Sequence, residues 1–108
     1  PALVMRKNFT SPSLRANKLA IKDLYKIKFY LDGFDPSIFI SFSYQLDEVI
    51  NSLRYQPYMY AKFKVRHNKE YRRIVIRNYI IVYDVIEDVK EVHIDRIFHK
   101  LEDYTKNL

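Results

Sequence analysis

Proton transfer near neutral pH is the natural work of histidine, and this 108-residue chain has three: His67, His93 and His99. His99 sits between two cations, Arg96 and Lys100, with Tyr104 beyond them. Such a set can move a proton, hold a phosphate and stack on a base or donate to it. A second basic pair, Arg72-Arg73, lies upstream. Side chains alternate along a strand, so these two point to opposite faces and cannot serve one surface together. One of them is then a solvated or ion-paired structural residue. The run Lys62-Phe63-Lys64-Val65-Arg66-His67 interleaves basic and apolar residues. As a strand it puts Lys62, Lys64 and Arg66 on one side. That stripe either tracks a phosphate backbone or is a solvated edge whose charges block edge pairing. The ordinary alternatives for His99 and Tyr104 are a strand-end histidine and a tail aromatic packed on the sheet.

The elements that must position these residues come from periodicity. Ala20, Leu24, Ile27 and Leu31 are at helical spacing and predict a helix over 19–32, with Lys22, Lys26 and Lys28 pointing outward. Gly33, the single glycine, stands at its C-terminal cap. Asp35-Pro36 starts a second helix as N-cap and first residue. Its apolar stripe is Phe39, Phe42, Leu46, Val49, Ile50 and Leu53, and Pro57 closes it. A loop follows over 58–69, with a short strand at Ala61–Val65 as an option. Then the period changes: strands are expected at 71–76, 79–85 and 91–98. The turns are Arg77-Asn78, where Asn tolerates a positive φ, and Glu87-Asp88. Lys100–Leu108 reads as a short helix. Leu3–Met5 and Ser13–Ala16 are each candidates for an edge strand. With no repeat and no linker, residues 1–108 form one α+β domain, a helical hairpin packed on one face of an antiparallel sheet.

Composition narrows the partners. Lys and Arg number 19 against 13 Asp and Glu, a formal charge of +6, which favours nucleic acid, an acidic protein or an anionic membrane surface. There is no cysteine, hence no disulfide and no thiolate. The three histidines have no i,i+4 pair, so no metal site is expected. No apolar run approaches the ~18 residues of a membrane span, and no signal-peptide pattern begins the chain. A cytoplasmic protein is the expectation.

Three segments carry a family resemblance. Tyr71-Arg72-Arg73-Ile74-Val75-Ile76-Arg77-Asn78-Tyr79-Ile80-Ile81-Val82-Tyr83 resembles the central hairpin of RelE/ParE toxins. Val92-His93-Ile94-Asp95-Arg96-Ile97-Phe98-His99-Lys100-Leu101-Glu102-Asp103-Tyr104 resembles their last strand and tail, and Ala20-Ile21-Lys22-Asp23-Leu24 resembles the start of their first helix. The likeness spans about residues 15–105 and implies a strand, two helices and three or four further strands.

It also implies the toxin of a type II toxin–antitoxin system, with an acidic, partly disordered antitoxin as partner. In the ribosome-dependent ribonucleases of this superfamily, cleavage resembles attack of the 2′-hydroxyl on the adjacent phosphate, which needs a base, an acid and cations but no metal or cofactor. With the resemblance, His99, Arg73, Arg96 and Tyr104 are the candidates for catalysis and Arg72 and Lys100 for phosphate binding, while Lys62, Lys64 and Arg66 stand as nucleic-acid candidates on their alternation. If the register cooperates, His99 and Arg73 come within about 10 Å and bracket one phosphate. Some positions depart from that branch: Ile74 replaces the second Lys of its Tyr-Lys-x-Lys, Ile80 an Arg after the turn Tyr, Leu101 an Arg of the tail pair, and Arg77 the turn Gly. The leading expectation is an mRNA endoribonuclease acting on the ribosome. The alternatives are a ParE-like inhibitor of DNA gyrase without its own catalytic site, and a DNA-binding co-repressor acting with its antitoxin.

Overall fold

The computed structural model describes residues 12–102 and residue 108. Strand β1 (Ser13–Ala16) leads into helix α1 (Lys18–Asp32) and helix α2 (Pro36–Ser52). Strands β2 (Lys62–Arg66), β3 (Lys69–Ile76), β4 (Tyr79–Ile86) and β5 (Glu91–His99) follow. The sheet order is β1-β5-β4-β3-β2. Strands β2 to β5 form the expected antiparallel meander, and β1 adds a parallel edge to β5. Of the two N-terminal strand candidates, Ser13–Ala16 forms and Leu3–Met5 lies outside the described residues.

Each element follows from its residues. Asp35 caps α2 by accepting from the Ser37 amide at 2.9 Å, with Pro36 in the first turn. That amide bond holds the Asp35 carboxyl below its ordinary value. Gly33 ends α1 with a right-handed backbone, φ −66°, so its glycine freedom is unused there. Strand β4 is buried from Tyr79 to Asp84 because it is the central strand, covered on both faces. On the helix side Ile74, Ile76, Tyr79, Ile81, Tyr83, Val92, Ile94 and Ile97 meet Ala20, Ile27, Phe42 and Leu46. On the other face Ile80, Val82 and Phe98 form a smaller cluster with Phe63, Tyr71 and Leu108.

Three local expectations need correction. Within residues 58–69 the optional strand forms, one residue on from Ala61–Val65: β2 runs from Lys62 to Arg66 and pairs with a β3 that starts at Lys69, across a His67-Asn68 turn with both φ positive. In the next turn the positive φ, 55°, falls on Arg77 and not on Asn78. Arg77 is held there by bonds to Gln45 at 3.0 Å and Ser41 at 2.6 Å on α2. A helix from Lys100 does not form over 100–102, which are turn and bend; residues 103–107 lie outside the described part.

A bulge in the β4–β5 pair sets the rest. Val82 pairs with Arg96 and Tyr83 with Ile94, leaving Asp95 as the extra residue. The bulge lets both Ile94 and Ile97 enter the helix-side core. Past the end of β1, Asp23 of α1 takes over the β5 edge and accepts the Ile97 amide at 2.9 Å.

Candidate nucleic-acid and partner interface

The sheet face turned away from the helices carries the largest share of the expected phosphate binders. Tyr71 belongs to that face's apolar cluster, so Arg73 and Lys69, at even spacing from it on β3, share its face. Arg73 pairs across β3–β4 with Val82 of the same cluster, and its guanidinium lies 5.7 Å from the Phe63 ring centroid. On β2, Lys64 is opposite Tyr71 and Arg66 opposite Lys69, which brings them to this face. Lys64, Arg66, Lys69 and Arg73 therefore form one basic stripe.

Lys62 does not join them. A register shift between Lys62 and Lys64 inserts an extra residue, and Lys62 pairs with Arg72 instead. The strict alternation expected for Lys62, Lys64 and Arg66 fails at that bulge. Lys62 is ion-paired with Glu70 at 2.9 Å, which holds the Glu70 carboxyl below its ordinary value.

Arg72 points to the helix side, opposite Tyr83. Its Nη1 donates to the carbonyls of Tyr60 at 2.7 Å and Tyr58 at 3.3 Å, and its guanidinium lies 5.0 Å from the Tyr58 ring. It pins the segment between α2 and β2, as does the Tyr83 hydroxyl, which donates to the Pro57 carbonyl at 2.7 Å. Of the Arg72-Arg73 pair, Arg72 is the structural residue.

Arg96 is also engaged. Its Nε and Nη2 donate to the two oxygens of Asp23 at 2.8 and 3.1 Å. Its guanidinium sits 4.5 Å from the Phe98 ring, and the Asp23 carboxylate raises its pKa. A guanidinium neutralised this way, on a carboxylate that also caps the β5 edge, has little charge to offer a phosphate.

His99 ends β5 opposite Tyr79, with the rings edge to face at 5.4 Å. Tyr79 belongs to the helix-side core, so His99 faces the helices and Arg73 faces away. The expected bracket of one phosphate between them does not form, because the register sets them on opposite sides of the sheet. His99 Nδ1 accepts from the Leu101 amide at 3.1 Å, which leaves Nε2 as the protonated nitrogen of the neutral ring. The imidazole borders an open cleft of about 440 Å³ with Lys26, Tyr30, Leu101 and Glu102. Lys100 is exposed in the turn after β5. Tyr104 lies outside the described residues.

Two features escaped the sequence reading. Lys69 completes the basic stripe, and only the β2–β3 register reveals it. The second is a buried acid pair: Asp84 is 1% exposed and Asp95 7%. Asp95 Oδ1 accepts from Asn17 Nδ2 at 2.6 Å. Asp84 Oδ1 and Asp95 Oδ2 are buried without a hydrogen-bond partner. Burial first, then the Asp84 carboxylate, push Asp95 up to about 8. Asp95 therefore keeps its proton at neutral pH. An aspartate inside the otherwise apolar run Tyr79–Ile86 was the visible signal. Among the described residues no cluster of three or more His, Cys, Asp or Glu can hold a metal ion, and no helix is long and apolar enough to cross a membrane.

A helical hairpin on one face of a five-stranded sheet, with a short parallel strand ahead of it, is the fold of RelE/ParE toxins. The family model described as ParE toxin of type II toxin-antitoxin system, parDE, matches residues 14–104, and the chain belongs to that family. Solved structures agree on the fold. The ParDE system of P. aeruginosa matches with a TM-score of 0.65 at 20% identity, over 83% of this chain and 97% of that one. The archaeal RelE-RelB complex from Pyrococcus horikoshii gives 0.59 at 14% identity, over 85% and 98%. The toxin-antitoxin complex RelBE2 from Mycobacterium tuberculosis gives 0.57 at 18% identity, over 86% and 95%. No curated protein matches the chain in sequence.

Proposed function

We propose that this toxin arrests growth by binding DNA gyrase, without a catalytic site of its own, and that an acidic antitoxin silences it. One observation supports the reading: among the described residues, the groups expected to serve phosphodiester cleavage do not converge. His99 and Arg73 are on opposite faces, and Arg96 is committed to Asp23. An acid–base group contributes only within hydrogen-bond reach of its proton. The family match supports the same branch. The basic stripe Lys64, Arg66, Lys69 and Arg73 offers an anionic partner a surface to bind. Antitoxin partnership is supported by the family's description and by the paired complexes among the structural neighbours.

The test is induction in growing cells with primer extension on mRNA. His99→Ala should still arrest growth, no ribosome-phased cuts should appear, and Lys64→Glu with Arg73→Glu should lose toxicity with the fold intact. Phased mRNA cuts abolished by His99→Ala would reject the reading. A ribonuclease reading keeps one favourable observation, that the same stripe can track a phosphate backbone.

A further inference from the structure

We propose that the cleft between α1 and the end of β5 binds a single nucleotide, a phosphate monoester carrying a ribose and a flat ring. The proposal goes beyond the gyrase reading and does not depend on it. Lys26, Ile27 and Tyr30 come to the cleft from neighbouring turns of α1. Tyr79 and His99 come from the paired ends of β4 and β5, and Leu101 and Glu102 from the turn beyond. The volume of about 440 Å³ falls in the roughly 300–1,000 Å³ range of small-molecule sites.

The polar groups of the cleft are mostly donors in want of an acceptor. Among the described residues, Lys26 Nζ, the Tyr30 and Tyr79 hydroxyls and His99 Nε2 make no hydrogen bond or ion pair. Tyr79 is the informative member. It is 7% exposed, with its ring packed 5.0 Å from Phe42 and 5.4 Å from His99. A tyrosine buried that deeply usually pairs its hydroxyl, but this hydroxyl is left to the cleft that the residue lines. Burial, and then the neighbouring Tyr30, push the pKa of Tyr79 up, so it stays protonated and donates. His99 accepts the Leu101 amide on Nδ1 at 3.1 Å, so the neutral ring donates from Nε2. One ammonium, one imidazole N–H and two hydroxyls suit a phosphate monoester, which brings terminal oxygens and negative charge to all of them.

The other lining residues select the organic part. Ile27 and Leu101 are apolar. Tyr30 is 61% exposed and is held edge-on by Phe34 at 5.2 Å, which leaves a ring face on which a base can stack. Glu102 is the only acid of the lining. Its Oε1 accepts the His99 amide at 2.9 Å, and Oε2 is the acceptor offered to a ribose hydroxyl. A bare polyanion would meet that carboxylate as a repulsion. The volume holds one nucleotide, and the basic stripe that can track a strand lies on the opposite face of the sheet.

The test is calorimetric titration of the full chain with AMP, beside inorganic phosphate, adenosine and a short RNA oligonucleotide. AMP should bind about 10-fold or more tighter than phosphate or adenosine. Tyr79→Phe keeps the ring and removes the hydroxyl; Lys26→Gln removes the charge at an exposed position. Each should weaken AMP binding by about 10-fold or more, as losing one hydrogen bond to a charged group does, with the melting curve of the free protein showing a native fold. Absence of AMP binding at millimolar concentration overturns the proposal, as does wild-type affinity in both folded variants. Phosphate or adenosine binding as tightly as AMP overturns it too, and so does an oligonucleotide that binds much more tightly than AMP. The titration reads this cleft alone, so a failure to inhibit gyrase would reject the gyrase reading and leave the nucleotide site to be decided by its own result.

Discussion

Replacing Asp95 with Asn should stabilise the toxin at neutral and alkaline pH and flatten its pH dependence. Asp95 lies buried and is pushed from 3.8 up to about 8, by burial first and then by Asp84. The folded state thus keeps a proton that the unfolded chain releases above its ordinary pKa. The Asp95 contribution is full below about pH 4 and falls as pH rises through the window to about 8, because the unfolded state binds fewer protons there. At ~1.4 kcal/mol per pH unit, the cost at pH 7 has an upper bound of roughly 4 kcal/mol. Relaxation of the pair and its hydrogen bonds reduce the figure expected to about 1–3 kcal/mol. Asn keeps the shape: its amide donates to Asp84 Oδ1, and its carbonyl still accepts from Asn17. The assay is urea unfolding from pH 5 to 9. The wild type should lose midpoint steadily, and Asp95→Asn should hold it, with a Tm higher by about 4–8 °C per kcal/mol at pH 8. A wild-type profile that is flat or rises with pH, or a variant weaker than wild type at pH 8, would refute the raised Asp95.

Asp23→Ala should cost about 2–4 kcal/mol in chemical denaturation, since it strands both the Arg96 guanidinium and the Ile97 amide. Arg72→Ala should cost about 1–2 kcal/mol and open the segment between α2 and β2 to protease, because it frees the Tyr58 and Tyr60 carbonyls. Phe42→Ala, at a 1% exposed core position, should cost about 3–5 kcal/mol by calorimetric or urea unfolding.

The helical hairpin was legible because its signals are local. Period 3.6 in Ala20, Leu24, Ile27 and Leu31, and the Asp35-Pro36 start, report directly on α1 and α2. The three later strands were legible because their turns are short. What was hidden depends on register. The Phe63 bulge that turns Lys62 out of the stripe and the Asp95 bulge in β5 shift strands by one residue, and a one-residue shift moves a side chain to the other face. His99 and Arg73 looked like neighbours because strand spacing alone was known; their faces were not. The positive φ of Arg77 was hidden for a related reason, since Ser41 and Gln45 lie far away in sequence. Asp23 as the partner of Arg96 needed α1 and β5 to be packed first.

The central claim is tested most directly by adding the purified chain to DNA gyrase in a plasmid supercoiling assay, with and without its antitoxin. The account predicts loss of supercoiling by wild type and by His99→Ala alike, reversed by antitoxin. Full supercoiling at a toxin concentration that stops growth, alongside ribosome-dependent cleavage of mRNA, would contradict it.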